Sequence, residues 1–199
     1  MNKEDLSALV SSRICHDLIS PIGAISNGVE LMQDLTNKPS PELGLIGESV
    51  NSASAKLRYF RIAFGATPKE SKLQMSEVRL ATGAMFQGRT VVVLDTAATE
   101  LPRIVGKLLL LTLLCVEKSL PLGGEIRVAL SAMGFSIAVE CERVKPMEAF
   151  WDMVDGGIVV EDLAASDVQF ILLGTTVALQ RAKFQRKITD GAIRISLAL

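Results

Sequence analysis

An imidazole, a thiol, a carboxylate and a hydroxyl fall within six residues of one another in the run Arg13-Ile14-Cys15-His16-Asp17-Leu18-Ile19-Ser20-Pro21. His16 is the only histidine in the chain. Multi-histidine zinc sites are therefore excluded, and what remains is one nucleophile or one proton-transfer group. On a helix, His16 shares a stripe with Ser12, Ser20, Gly23 and Asn27, all small or polar. That stripe lies beside the apolar face rather than within it, so the imidazole is expected to be accessible. Cys15 has no C-x-x-C partner and no second histidine to activate it, and is read as packing.

Two amphipathic patterns hold this run in place. Leu6, Val10, Ile14, Leu18, Ile22, Ile25, Val29 and Met32 recur at steps of three or four, the spacing of a packed helix face. Leu43, Ile46, Val50, Ala53, Leu57, Phe60 and Phe64 alternate steps of three and four, a heptad seam for a second helix. Thr36-Asn37-Lys38-Pro39-Ser40-Pro41 supplies the turn between them, with Pro41 suited to a first helical turn. The product is a helical hairpin with more apolar surface than its two helices can cover for each other. Either two hairpins dimerise into a four-helix bundle, or one hairpin packs on its own C-terminal part. His16 stands about 20 residues, or roughly 30 Å, from the turn, and the same rise along the second helix reaches Arg58 and Arg61. These two arginines, flanking Phe60, are either neighbours of His16 or solvated surface charges at the bundle's edge.

Composition bounds the classes. The 199 residues are 49% hydrophobic with a formal net charge of -1, enough for a buried core and without the basic excess of a nucleic-acid binder. Three cysteines, odd in number and unpaired in spacing, suit a reducing, cytoplasmic setting. The N-terminus lacks a basic segment followed by an apolar core, so no signal peptide is expected. The apolar run from Leu108 to Val116 is too short to span a bilayer.

From about Thr67 the pattern changes. Residues 89–94, 125–130, 135–140 and 192–197 alternate as strands, while 101–120 and 166–183 have the length and periodicity of helices. Gly123-Gly124 and Met133-Gly134 mark turns around the middle strands. The expectation is an α+β protein: a helical hairpin over 1–66 that forms a dimeric four-helix bundle, and an α/β sandwich over 67–199 with helices on one face of a mixed sheet.

His16-Asp17-Leu18-Ile19-Ser20-Pro21 resembles the H-box of dimeric histidine kinases: histidine, an acidic residue, two variable residues, a small hydroxyl residue and proline. The longer run, followed by Ile25-Ser26-Asn27-Gly28-Val29-Glu30-Leu31, is similar to the ChpT-type histidine phosphotransferases of alphaproteobacteria. Arg61-Ile62-Ala63-Phe64-Gly65-Ala66 resembles the end of that family's second helix, and Leu120-Pro121-Leu122-Gly123-Gly124 its midpoint turn. The resemblance implies a C-terminal domain shaped like the ATP-binding module of histidine kinases and acting as a docking wall. It implies that His16 takes a phosphoryl group from a receiver aspartate and passes it to another. The donor would be the receiver domain of a hybrid histidine kinase, and the acceptors response regulators controlling cell-cycle progression.

Under that resemblance each residue has a role. The neutral imidazole attacks phosphorus, and an ordinary histidine pKa near ~6.5 leaves enough neutral form. Asp17, pointing about 100° away around the helix, either holds the tautomer and removes the proton or is a solvated carboxylate. Pro21 leaves the Asp17 carbonyl without its helical donor and should loosen the helix beside His16. Ser20 contacts the phosphoryl group or bonds back to its own helix. Arg13 suits a phosphate or carboxylate, Asn27 continues the contact stripe, and Ile19 and Gly23 would take a receiver helix in a groove. No intrinsic cofactor or metal is expected, since the receiver brings its own magnesium. A working ATP site is also not expected: Thr112 and Val116 stand where a kinase carries asparagines, and Asp155-Gly156-Gly157 lacks the spacing of an Asp-x-Gly-x-Gly loop. The other readings are a diverged ATP-dependent histidine kinase and a non-catalytic dimeric adaptor for receivers. None of the readings involves nucleic acid or a membrane.

Overall fold

The computed structural model describes residues 11, 18–20, 22–32, 40–157 and 163–199. They fall in two compact units, Met1–Ala66 and Thr67–Leu199. Among the described residues no helix is long and apolar enough to cross a membrane.

The first unit is helical. Residues 18–20 and 22–32 are helix, here α1, and Pro41–Ala63 form α2. Ser40 caps α2: its hydroxyl oxygen accepts from the Leu43 N–H at 3.3 Å, with Pro41 in the first turn where its missing N–H costs nothing. The two helices meet where Gly47 faces Val29, a Cβ at Gly47 lying 3.7 Å from Val29 Cγ1. The residues read as α1's packing face split by heptad. Val29 is buried and Ile22 half-buried, whereas Leu18, Ile25 and Met32 stand outside at 44%, 51% and 53% exposure. The α2 seam is likewise incomplete. Ile46 is exposed and the other six seam residues are half-buried, while the fully buried positions are Ala55, Tyr59, Ile62 and Ala63. Among the described residues the seam is thus only partly covered. The turn Thr36–Pro39 lies outside the described residues.

The second unit is an α/β sandwich. Strands β2 (Thr90–Asp95), β4 (Gly124–Ser131), β5 (Gly134–Glu140), β6 (Lys183–Thr189) and β7 (Ala192–Ala198) form a mixed sheet in the order β2-β4-β5-β7-β6, with only the β2/β4 pair parallel. A small antiparallel pair, β1 (Lys72–Gln74) and β3 (Glu100–Pro102), stands apart from it. Strict alternation makes the main sheet one-sided. Ile126, Val128 and Leu130, Ile137 and Val139, and Ile193, Ile195 and Leu197 are buried, and Glu125, Arg127, Ser136, Arg194 and Ser196 face out.

Helix α4 (Arg103–Lys118) packs against this core and against α6 (Val168–Gln180). Its residues from Val105 to Val116 are all buried, as an apolar surface running right round a helix demands. The short helix α5 (Glu148–Val154) crosses α6 so closely that a Cβ at Gly174 would lie 2.6 Å from the Met153 carbonyl oxygen, which only glycine allows. Trp151 of α5 meets Phe170 edge-on at 5.3 Å and donates its indole N–H to Ser119 Oγ at 3.2 Å. Gly123 turns the chain at φ +79°, where a side chain would collide with the Arg89 carbonyl.

The four strands and two long helices expected in this unit are present, with three corrections. Leu101 and Pro102, read into a helix, belong to β3 and precede it. Residues 181–183, also read as helix, are not: α6 stops where Arg181 adopts the left-handed conformation at φ 53°, and β6 begins at Lys183. Strands β1, β3 and β6 and helices α3 (Met75–Met85) and α5 were not anticipated.

Candidate functional site

His16, Asp17, Arg13 and Pro21 lie outside the described residues; of the residues expected at the site, the structure describes Ile19, Ser20, Gly23 and Asn27 on α1 and Arg58 and Arg61 on α2. Ser20 and Asn27 are exposed, and between them Gly23 is half-buried with nothing within 4 Å of where a Cβ would point. At offsets of three and four these residues share one helix face, the stripe expected to carry His16. Ile19 is half-buried at its flank. An open strip with a glycine in it admits close approach of another backbone. It offers one hydroxyl and one amide as hydrogen-bonding groups. On α2, Arg58 is exposed, as expected, but Arg61 is half-buried instead of standing at the solvent edge. Its same-face neighbours on the chain, Leu57, Phe64 and Gly65 at offsets of -4, +3 and +4, are themselves half-buried or buried. Placed in the last turn, it also complements the helix dipole. The Phe60 and Phe64 rings stack at 5.3 Å between centroids, fixing the end of the helix.

In the second unit, the stretch of α4 around Thr112 and Val116 is closed to solvent. Leu111, Thr112, Cys115 and Val116 are fully buried, and the one hydroxyl among them is spent, Thr112 Oγ1 donating to the Leu108 carbonyl at 2.7 Å. Burial pushes the Cys115 thiol pKa well up, with the nearby Asp167 charge acting the same way, which disfavours the thiolate. Asp155-Gly156-Gly157 is the stop of α5. Gly157 N–H donates to the Asp152 carbonyl at 2.7 Å, and Arg186 of β6 clamps the carboxylates of Asp152 and Asp155 at 2.8 and 2.7 Å. These carboxylates serve a strand-to-helix tie that no spacing rule had indicated.

A cavity of about 330 Å³ opens at the end of α4, lined by Lys118, Lys145, Met147, Glu148, Phe150 and Asp167 among others. Lys118 Nζ pairs with Asp167 Oδ1 at 2.9 Å, and the remaining Lys145 and Glu148 balance in charge. The cavity escaped the sequence reading because its walls come from three separated segments.

The structure resembles that of a bacterial phosphotransferase solved at 1.7 Å, at a TM-score of 0.69 and 29% identity over 99% of this chain and 97% of that one. The histidine phosphotransferase C-terminal domain matches residues 75–191. The protein phosphotransferase ChpT of Brucella abortus (strain 2308) is 34% identical over 171 residues, which cover 83% of this chain and 81% of that protein. The chain belongs to the histidine phosphotransferase family. A histidine kinase domain from the blue-light activated kinase EL346 of Erythrobacter litoralis is a looser structural neighbour, with TM-score 0.48 and 13% identity over 94% of each chain.

Proposed function

We propose that this histidine phosphotransferase carries the phosphoryl group on His16, moving it between receiver-domain aspartates of a two-component phosphorelay. The carrying observation is the open stripe of Ser20, Gly23 and Asn27 on α1, whose offsets of 4, 7 and 11 from His16 in the sequence are those of one helix face, in a chain of this family. The lone pair of a neutral imidazole nitrogen forms the N–P bond as the aspartyl P–O bond breaks. The freed carboxylate stays with the receiver, and the proton on the other ring nitrogen passes to Asp17 or to water. Alignment and charge stabilisation dominate such a transfer, so this chain contributes a positioned nucleophile while the receiver contributes its carboxylates and bound magnesium. Arg13, Arg58 and Arg61 offer charge to the transferring group, and Ile19 and Gly23 offer the groove for a receiver helix.

The working form is a homodimer in which residues 1–66 build a four-helix bundle, and residues 67–199 form a docking domain. Leu18, Ile25 and Met32, exposed at seven-residue intervals on α1, with Leu45 and Ile46 exposed on α2, support it: this is the surface a second hairpin would cover. The donor is the receiver of a hybrid histidine kinase and the acceptors are response regulators. ATP is not a substrate. The apolar environment of Thr112 and Val116, and a cavity whose lysines are matched by carboxylates, support that reading, because a triphosphate needs a cation site and a positive field. Free thiols at Cys115 and Cys141 suit a cytoplasmic protein.

The test mixes the protein with a radiolabelled phospho-receiver from a hybrid kinase, alongside His16→Ala, and separately with labelled ATP. Label should reach the wild type from the receiver alone and be absent from His16→Ala. Label from ATP would make the protein a kinase, and label from neither source would leave an adaptor.

A further inference from the structure

The two edges of the main sheet are defended differently. Edge strand β6 carries Lys183, Arg186 and Lys187 along its own length, the charges that discourage another strand from pairing. Edge strand β2 carries none between Thr90 and Leu94: its sequence Thr-Val-Val-Val-Leu is uncharged and strongly β-forming. Val91 and Val93 are 48% and 44% exposed on the open sheet face. The Arg89 carbonyl accepts from Gly124 N–H at 2.8 Å, so odd-numbered residues here turn their main chain towards β4. By alternation, Thr90, Val92 and Leu94 turn theirs to the free edge. At that edge the Arg79 guanidinium, reaching from α3, donates to the Leu94 carbonyl at 3.1 Å and to the Thr96 carbonyl at 3.4 Å. Its planar fork takes two successive outward carbonyls, the places where an incoming strand would put its N–H groups.

We propose that Arg79 is a built-in block on strand addition at β2, supplied from a neighbouring helix because the strand's only charge, Asp95, stands at its last residue. The extended segment it excludes is first of all the β2 edge of a second copy, which pairs antiparallel with itself and brings Val91 and Val93 of both copies onto one face. Removing the fork should therefore leave the fold in place and expose a self-pairing edge.

The experiment compares wild type, Arg79→Ala, Val93→Lys and Arg79→Ala/Val93→Lys by sedimentation and light scattering over a concentration series, with circular dichroism confirming the fold of each. Arg79→Ala should reach a weight-average mass roughly two-fold or more above wild type at the same concentration, and the added Val93→Lys should return it to the wild-type value. Should Arg79→Ala fail to fold, Arg79→Lys, which keeps the charge and one donor, carries the same comparison with a smaller rise. A folded Arg79 variant with wild-type mass would overturn the proposal, and so would association that Val93→Lys leaves unchanged.

Discussion

The helical unit and the α/β unit differ in how far each completes its own core. In the α/β unit twelve consecutive residues of α4 are buried, and three strands present alternating buried faces to it. In the helical unit Leu18, Ile25, Met32, Leu45 and Ile46 remain outside. Among the described residues, one unit covers its apolar elements on its own and the other leaves a row of apolar side chains exposed. Stability can therefore reside in one unit while apolar surface stays open in the other.

The widest separation between the units should come from charging the helical surface. Ile25→Lys with Ile46→Lys should convert the proposed dimer to monomer, weakening association by about a hundredfold or more, as burying unpaired ammonium groups would. Sedimentation measures it, and a dimer that survives would move its interface elsewhere. In the α/β unit, Leu111→Ala should cost about 3 kcal/mol through lost burial and a cavity, read by urea denaturation, with association unchanged. Ser119→Ala is smaller. It removes the acceptor of the Trp151 indole and the hydroxyl bonded to the Cys115 carbonyl, for about 1–2 kcal/mol.

The smallest effect is a pH dependence. Burial, with the Arg103 charge adding to it, lowers the Lys107 pKa from its usual 10.5. Between the folded and unfolded values the unfolded chain holds more protons, so this group's contribution makes the fold more stable as pH rises through that window towards 10.5. Lys107→Met should flatten that alkaline rise in a stability-versus-pH series. An unchanged slope would assign the rise to other groups.

The long elements were legible in the sequence because their periods were long. The strands over 124–131, 134–140 and 192–198 alternate for seven or eight residues, and α4 and α6 show continuous apolar runs. Strands β1 and β3, three residues each, are shorter than any period can register, and α5 has only seven residues. Strand β6 was lost because only Phe184 and Ile188 interrupt its polar residues, the composition of an edge strand, and Lys183 read as the tail of the helix before it. The stripe past His16 followed from helical spacing alone, and exposure agrees at Ser20 and Asn27. Arg61 was misjudged because spacing does not tell which flank of an apolar seam a neighbouring element covers. The ties at Arg186 and Arg79 join residues 31 to 34 and 15 to 17 positions apart, distances at which no local pattern operates.

The chain has one tryptophan and one tyrosine, Trp151 in the α/β unit and Tyr59 in the helical unit, both deeply buried. Each half thus carries its own optical label without engineering. Excitation at the red edge of the indole band follows the sandwich alone, and what the shared near-ultraviolet band shows beyond that indole signal reports the phenol of the helices. A melt recorded at both wavelengths would show directly whether the two halves lose their structure together or one after the other.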